Sequence, residues 1–104
     1  MQITGEMLIG ASSVRGTEGQ QQAFDPRMDQ FIATPTFGMG GQAEVDRAAQ
    51  LAAQAFDPYR QLSLAKRAEF LELIADNIMA LGDALIERAM AESGLPMVRL
   101  QGER

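Results

Sequence analysis

The sequence predicts an α+β chain in which an N-terminal β-hairpin is followed by three to four helices. Two observations carry that reading. Seven of the ten glycines fall within residues 1–41, whereas residues 42–93 hold only Gly82, with Pro58 as their one proline; Gly and Pro punctuate turns and strand ends far more readily than helix interiors. Behind Gly41 the apolar residues recur at intervals of three and four, the period of a helix face. The chain therefore divides into a β-hairpin and extended Gly/Pro-rich segment, 1–41, and a helical segment, 42–104.

In the first segment, Glu6-Met7-Leu8-Ile9 is a short apolar run between Gly5 and Gly10, and Gln20 to Phe24 lies between Gly19 and Asp25-Pro26. These are expected to be the two strands of a hairpin, joined loosely through Ser12 to Gly19. A third extended piece, Phe31 to Phe37, contains Pro35, which has no N–H to give a ladder and belongs at an edge or in a loop.

The first helix is marked by Val45, Ala48, Ala49, Ala52, Ala55, Phe56 and Tyr59, a narrow Ala-rich stripe that suggests close approach to a neighbouring element. Pro58 disfavours helical geometry at Asp57, so this helix is expected to end or kink there. Ser63 is a candidate N-cap for the next helix. Its stripe runs Leu64, Ala68, Leu71, Ile74, Ala75 and Ile78, widened by Phe70, Leu73 and Leu81, and needs partners on more than one side. Gly82-Asp83 reads as a break with Asp83 as a fresh N-cap. The third helix then points Leu85, Ile86, Ala89 and Met90 inward and stops at Gly94. Leu95-Pro96 opens a fourth helix that runs to Arg104, Pro being suited to a first turn. Helices this apolar can hardly satisfy one another within 104 residues, so the chain is expected to belong to something larger or to associate with copies of itself.

Composition excludes much chemistry. The chain has no Cys, His or Trp, which removes a thiolate nucleophile, an imidazole acid or base and the usual zinc ligands from these residues. Nine Lys and Arg against fourteen Asp and Glu give a net charge of −5. That balance disfavours nucleic acid and anionic bilayers, whose binding depends on cationic side chains. No apolar run approaches the roughly 20 residues needed to span a bilayer. The start, Met1-Gln2-Ile3-Thr4-Gly5-Glu6, lacks the basic region of a secretion signal. A soluble cytoplasmic chain is expected, with neither nucleic acid nor membrane as partner.

Few motifs remain. Gly38-Met39-Gly40-Gly41-Gln42-Ala43 fits the G-x-G-x-x-A turn of dinucleotide sites, with Asp57 near the offset of the ribose-binding acid. Pro35 sits where a central parallel strand should run, and a second helix follows where a second strand should. A Gly-rich linker into a helix start is therefore the better reading. Glu69 with Glu72 and Asp76, and Asp83 with Glu87, are carboxylates at helical spacing, better read as a solvated face than as an acid/base pair. Lys66 and Arg67 stand in the first turn of their helix, where the macrodipole disfavours cations. Such a conflict is usually tolerated but sometimes marks an anion contact or an inter-subunit ion pair. The seven methionines, Met7, Met28, Met39, Met79, Met90 and Met97 among them, are too scattered for one groove and read as core filling.

Taken in order, these elements resemble the amino-terminal segment of the aldehyde dehydrogenase superfamily. Thr4-Gly5-Glu6-Met7 is similar to its opening hairpin strand and Phe24-Asp25-Pro26-Arg27-Met28-Asp29 to the turn that follows. Val45 to Ala49 and Ala55 to Arg60 resemble its Ala-rich helix, Leu62 to Ile78 the next one, and Glu92-Ser93-Gly94-Leu95-Pro96 its E-x-G-x-P ending. Ile3 to Gly10, Ala80 to Ala89 and Gln101 to Arg104 are similar to the members that act on α-ketoglutarate semialdehyde (2,5-dioxovalerate). Met28-Asp29 replaces the usual Thr-Gly, and Met97-Val98 stands in place of Arg-Ala.

The resemblance implies a part of a larger α/β fold of Rossmann type. The enzyme it implies oxidises an aldehyde to a carboxylate with NADP or NAD, through a Cys thiolate and a Glu-activated water. None of that machinery maps onto these residues. No catalytic, cofactor-binding or metal-ligating position is assigned, and the segment alone is expected to bind no cofactor. Its implied partners are the remainder of the aldehyde dehydrogenase fold or other copies in a homo-oligomer, and its implied role is to flank the coenzyme-binding domain. A stand-alone, non-catalytic helical interaction module is the alternative reading of the same stripes.

Overall fold

The computed structural model describes all 104 residues. Four strands precede four helices: β1 (Met7–Ile9), β2 (Ser12–Val14), β3 (Gln20–Asp25), β4 (Gln30–Gly38), α1 (Gln42–Arg60), α2 (Leu64–Ala80), α3 (Asp83–Ser93) and α4 (Met97–Glu103). The α+β class holds, but the strand pairing differs from the single hairpin expected. β1 pairs antiparallel with β2, Leu8 opposite Ser13, and β3 with β4, Gln21 opposite Phe37. The stretch read as a loose connection therefore supplies a strand of its own, and the Pro-bearing piece becomes the partner of β3. Pro35 is accommodated because the register slips there. Ala23 alone faces the four residues between Phe31 and Thr36, a bulge that asks no N–H of the proline. Gln22 Nε2 donates to the Ala33 carbonyl at 3.3 Å across it. At the far end the Phe24 and Phe31 rings, directly opposed, meet edge to face at 5.3 Å.

The β3–β4 turn is closed by Asp25, whose Oδ1 accepts from the backbone N–H of Arg27 at 2.9 Å and of Met28 at 3.1 Å. Asp29 takes the left-handed conformation, φ 52°, one that Asp tolerates better than most residues with a Cβ. Asp therefore closes this turn at the position where the resemblance leads one to expect Gly.

The two hairpins join where side chains are absent. Gly5, Gly16 and Gly38 are three of the four buried residues. A Cβ on Gly5 would overlap the Thr36 carbonyl and one on Gly16 the Met39 carbonyl. Backbone hydrogen bonds cross this junction, Gly38 N–H to Gly5 O at 3.1 Å and Glu18 N–H to Met39 O at 3.0 Å. Arg15 ties it further, donating to Thr36 Oγ1 at 2.6 Å and to the Thr4 carbonyl at 3.4 Å.

Helix α2 is capped as expected: Ser63 Oγ accepts from the Lys66 N–H at 3.2 Å. Helix α3 ends on Gly94, left-handed at φ 71°, whose N–H bonds to the Met90 carbonyl at 2.9 Å. Three boundaries are corrected. Helix α1 does not stop at Asp57 but carries Pro58 inside its last turn and ends at Arg60. Gly82, not Asp83, is the N-cap of α3, and Pro96 caps α4 instead of lying in its first turn. Pro58 fits because only two helical residues follow it, so its ring removes a single bond near the helix end.

Little of the apolar surface is covered. Ile86 is the one buried hydrophobic residue, with Leu85, Ala89, Met90 and Leu100 half-buried around it. The inward face expected for α3 is thus the face it uses. Helix α1 turns Leu51 toward Gly10, while the Ala-rich stripe from Val45 to Tyr59 stays exposed. Every member of the α2 stripe is exposed as well. The chain presents 7814 Å² to solvent, about 2,000 Å² more than a compact protein of 11.3 kDa would. Its radius of gyration, 16.9 Å, compares with about 13 Å for a compact domain of this length.

Candidate functional site

The Gly38–Ala43 turn is the residue pattern closest to a known site, and its geometry argues against one. It follows β4, an antiparallel hairpin strand, not the parallel strand that aims a phosphate-binding turn at its ligand. Gly41 is the N-cap of α1, and its N–H is already taken by Glu44 Oε2 at 2.8 Å. The Glu18 side chain lies against Gly41 and the Met7 thioether against Gly40. A carboxylate thus stands at the helix start, where a phosphate would need free N–H groups and positive potential. Asp57, the candidate ribose partner, is exposed on the last turn of α1 and paired with Arg60 at 2.6 Å. The residues present do not fit a nicotinamide dinucleotide.

The paired carboxylates do not form a site either. Glu69, Glu72, Asp76, Asp83 and Glu87 are all exposed, and Glu69 is held by Lys66 at 2.7 Å. Nor does any group of three or more acidic residues gather where it could hold a metal ion. The methionines do not fill a core within this chain: Met28, Met39, Met79 and Met97 are exposed, and only Met7 and Met90 are half-buried.

Two arginines are handled differently from the rest. Arg88, on α3, binds Glu92 through Nε at 2.6 Å and reaches the Thr34 carbonyl of β4 at 3.4 Å, but its Nη2 is buried without a partner. Arg67, on α2, has a buried Nε with no partner at all. Buried guanidinium N–H groups rarely go unpaired, and sequence reasoning singled out Arg67 only through its unfavourable place in the first turn. Arg88 was missed, because nothing local separates it from any other arginine in a polar helix.

Among the open cavities on the surface are two that lie against helices. One, about 380 Å³, lies between the first hairpin and α1 and is lined by Ile9, Val14, Arg47 and Leu51 among others. The second, about 270 Å³, lies between α2, α3 and α4, against Ile78, Ile86 and Leu100. Neither gathers a nucleophile, a base and an oxyanion donor, the minimum for acyl or hydride chemistry.

The arrangement defines a class: an α+β segment of two backbone-joined hairpins and four helices, two of which carry broad exposed apolar faces. The chain belongs to the aldehyde dehydrogenase family, which it matches over residues 14–103. It is 62% identical over 104 residues to alpha-ketoglutaric semialdehyde dehydrogenase 2 of Azospirillum brasilense, covering 100% of this chain and 20% of that protein. It is 47% identical over 92 residues to alpha-ketoglutaric semialdehyde dehydrogenase of Acinetobacter baylyi, covering 82% of this chain and 18% of that protein. The chain therefore spans about a fifth of the length of these relatives and corresponds to their N-terminal portion. No solved structure matches it.

Proposed function

We propose that these residues are the N-terminal scaffold of an NAD(P)-dependent aldehyde dehydrogenase that oxidises α-ketoglutaric semialdehyde (2,5-dioxovalerate) to the carboxylate. One observation carries the reading. The identity to the Azospirillum enzyme runs along the whole chain, and the same chain leaves two helix faces exposed that a larger body would cover. In this reading residues 1–41 form the hairpin and extended segment, residues 42–104 flank the coenzyme-binding domain, and the nucleophile comes from elsewhere, since this chain has no Cys. NADP or NAD is bound by the remainder. The whole enzyme works in the cytoplasm as a homo-oligomer.

A chimera tests this directly. Residues 1–104 replace the corresponding N-terminal fifth of the Azospirillum enzyme, and oxidation of α-ketoglutaric semialdehyde is followed through the nicotinamide absorbance. A soluble chimera with activity within about tenfold of the parent supports the reading, since family-typical packing tolerates volume-conserving changes. A chimera that is folded but devoid of activity with both coenzymes refutes it.

A further inference from the structure

We propose that Arg67 is the charged centre of the face that α2 offers to the rest of the polypeptide, and that a carboxylate of the covering segment meets its guanidinium there. The proposal rests on the N-terminal-scaffold reading and says what kind of side chain the missing body must present. Helical geometry places Leu64, Phe70, Leu71 and Ile74, at i−3, i+3, i+4 and i+7 from Arg67, on one face around it. Arg67 is therefore in the middle of the apolar stripe, not on its margin.

Exposure is inverted at this spot. Leu64 is 77% exposed, Leu71 60% and Ile74 41%, yet the arginine among them is only half-exposed and its Nε has neither solvent nor a hydrogen-bond partner. No acidic side chain of this chain is paired with Arg67. The ion pairs are Arg60 with Asp57, Lys66 with Glu69, Arg88 with Glu92 and Arg99 with Glu103. Lys66, one residue earlier, shows the contrast: it is exposed and has its own carboxylate, Glu69.

Once a body covers this face, an isolated guanidinium would be buried at a cost of several kcal/mol. A bidentate carboxylate is the group that satisfies its planar fork of donors and cancels its charge. A backbone carbonyl would satisfy one N–H but leave the charge. The occupant is thus an acidic residue of the same polypeptide, from the four-fifths that the relatives possess beyond this segment. A second copy of the chain and a separate protein are the outcomes the test sets apart.

The experiment uses the full-length chimera and compares Arg67→Met and Arg67→Lys with the parent by thermal unfolding at pH 5.5 and pH 8. Removing the cation leaves an acidic group buried and unpaired, so its folded-state pKa rises above the unfolded value. Stability is then lost as pH rises through that raised pKa. The Tm deficit of Arg67→Met is expected to grow from small at pH 5.5 to on the order of 5 °C or more at pH 8. Arg67→Lys should recover part of the deficit and its pH dependence. Loss of the Met variant alone from the soluble fraction, with the Lys variant retained, also supports the pair. An Arg67→Met chimera as stable as the parent at both pH values, or Lys and Met variants equally impaired, overturns it. A deficit that disappears when the oligomer is diluted to monomer assigns the carboxylate to a second copy and overturns it too. If the unmutated chimera fails to fold, the scaffold reading falls first, which keeps the two failures distinct.

Discussion

Separating residues 1–104 from any covering body is the perturbation that bears most directly on this fold. The chain exposes 7814 Å², about 2,000 Å² beyond a compact protein of the same mass. With a little over half of that excess apolar, leaving it in water forgoes on the order of 30 kcal/mol of burial at about 25 cal/mol per Å². Folded domains are stable by only about 5–15 kcal/mol, so the isolated chain is expected to show no cooperative native state as a monomer. Circular dichroism should retain helix, while thermal scans give a broad, sloping loss and the hydrophobic dye ANS binds strongly, the signature of secondary structure without fixed packing. Calorimetry and sedimentation on the same sample complete the assay. A sharp transition in a monomer, with calorimetric and van't Hoff enthalpies that agree, would refute the argument from exposed area.

Four substitutions, each measured by denaturant midpoint in the full-length chimera, probe particular contacts. Gly16→Ala sets a methyl against the Met39 carbonyl at the hairpin junction and should cost about 3 kcal/mol or more, whereas Gly102→Ala, on α4 with nothing within 4 Å, should be neutral or stabilising by up to about 1 kcal/mol; equal effects would mean the junction is not close-packed. Ser63→Ala removes the oxygen that accepts from Lys66 N–H and should cost about 1 kcal/mol, with Ser63→Asp restoring it. Titrating NADP+ or NAD+ into residues 1–104 should give no heat of binding, because Glu44 already occupies the Gly41 N–H; a saturable isotherm abolished by Gly40→Val would restore the Gly-rich turn as a site.

What the sequence disclosed was local. The cap at Ser63 and the stop at Gly94 depend on residues three or four apart, so residue type alone located them. The inner face of α3 was legible for the same reason. Strand pairing was not, because β1 to β3 and β1 to β2 are distinguished by a junction of Gly5, Gly16 and Gly38, residues up to 33 positions apart whose contacts leave no side-chain signal. Pro58 misled in the other direction. The rule that Pro ends a helix weakens in the last turn, where only one bond is at stake. As for a site, the absence of Cys and His removes thiolate and imidazole chemistry from these residues by composition alone, but the unpaired atoms of Arg67 and Arg88 emerge only from tertiary packing.

The locality of these contacts also sets an order of events in a growing polypeptide. Both hairpins and all four helices close their backbone bonds within residues 1–104, while in the proposed enzyme the surface around Arg67 and the Ala-rich stripe is covered only by later residues. In a protein of the relatives' length, roughly 400 further residues must be translated, which at about 5–20 residues per second takes on the order of 20–80 s. Throughout that interval, in the proposed enzyme, the exposed apolar sides of the first two helices would stay wet, a transient surface of the kind that makes chaperones necessary.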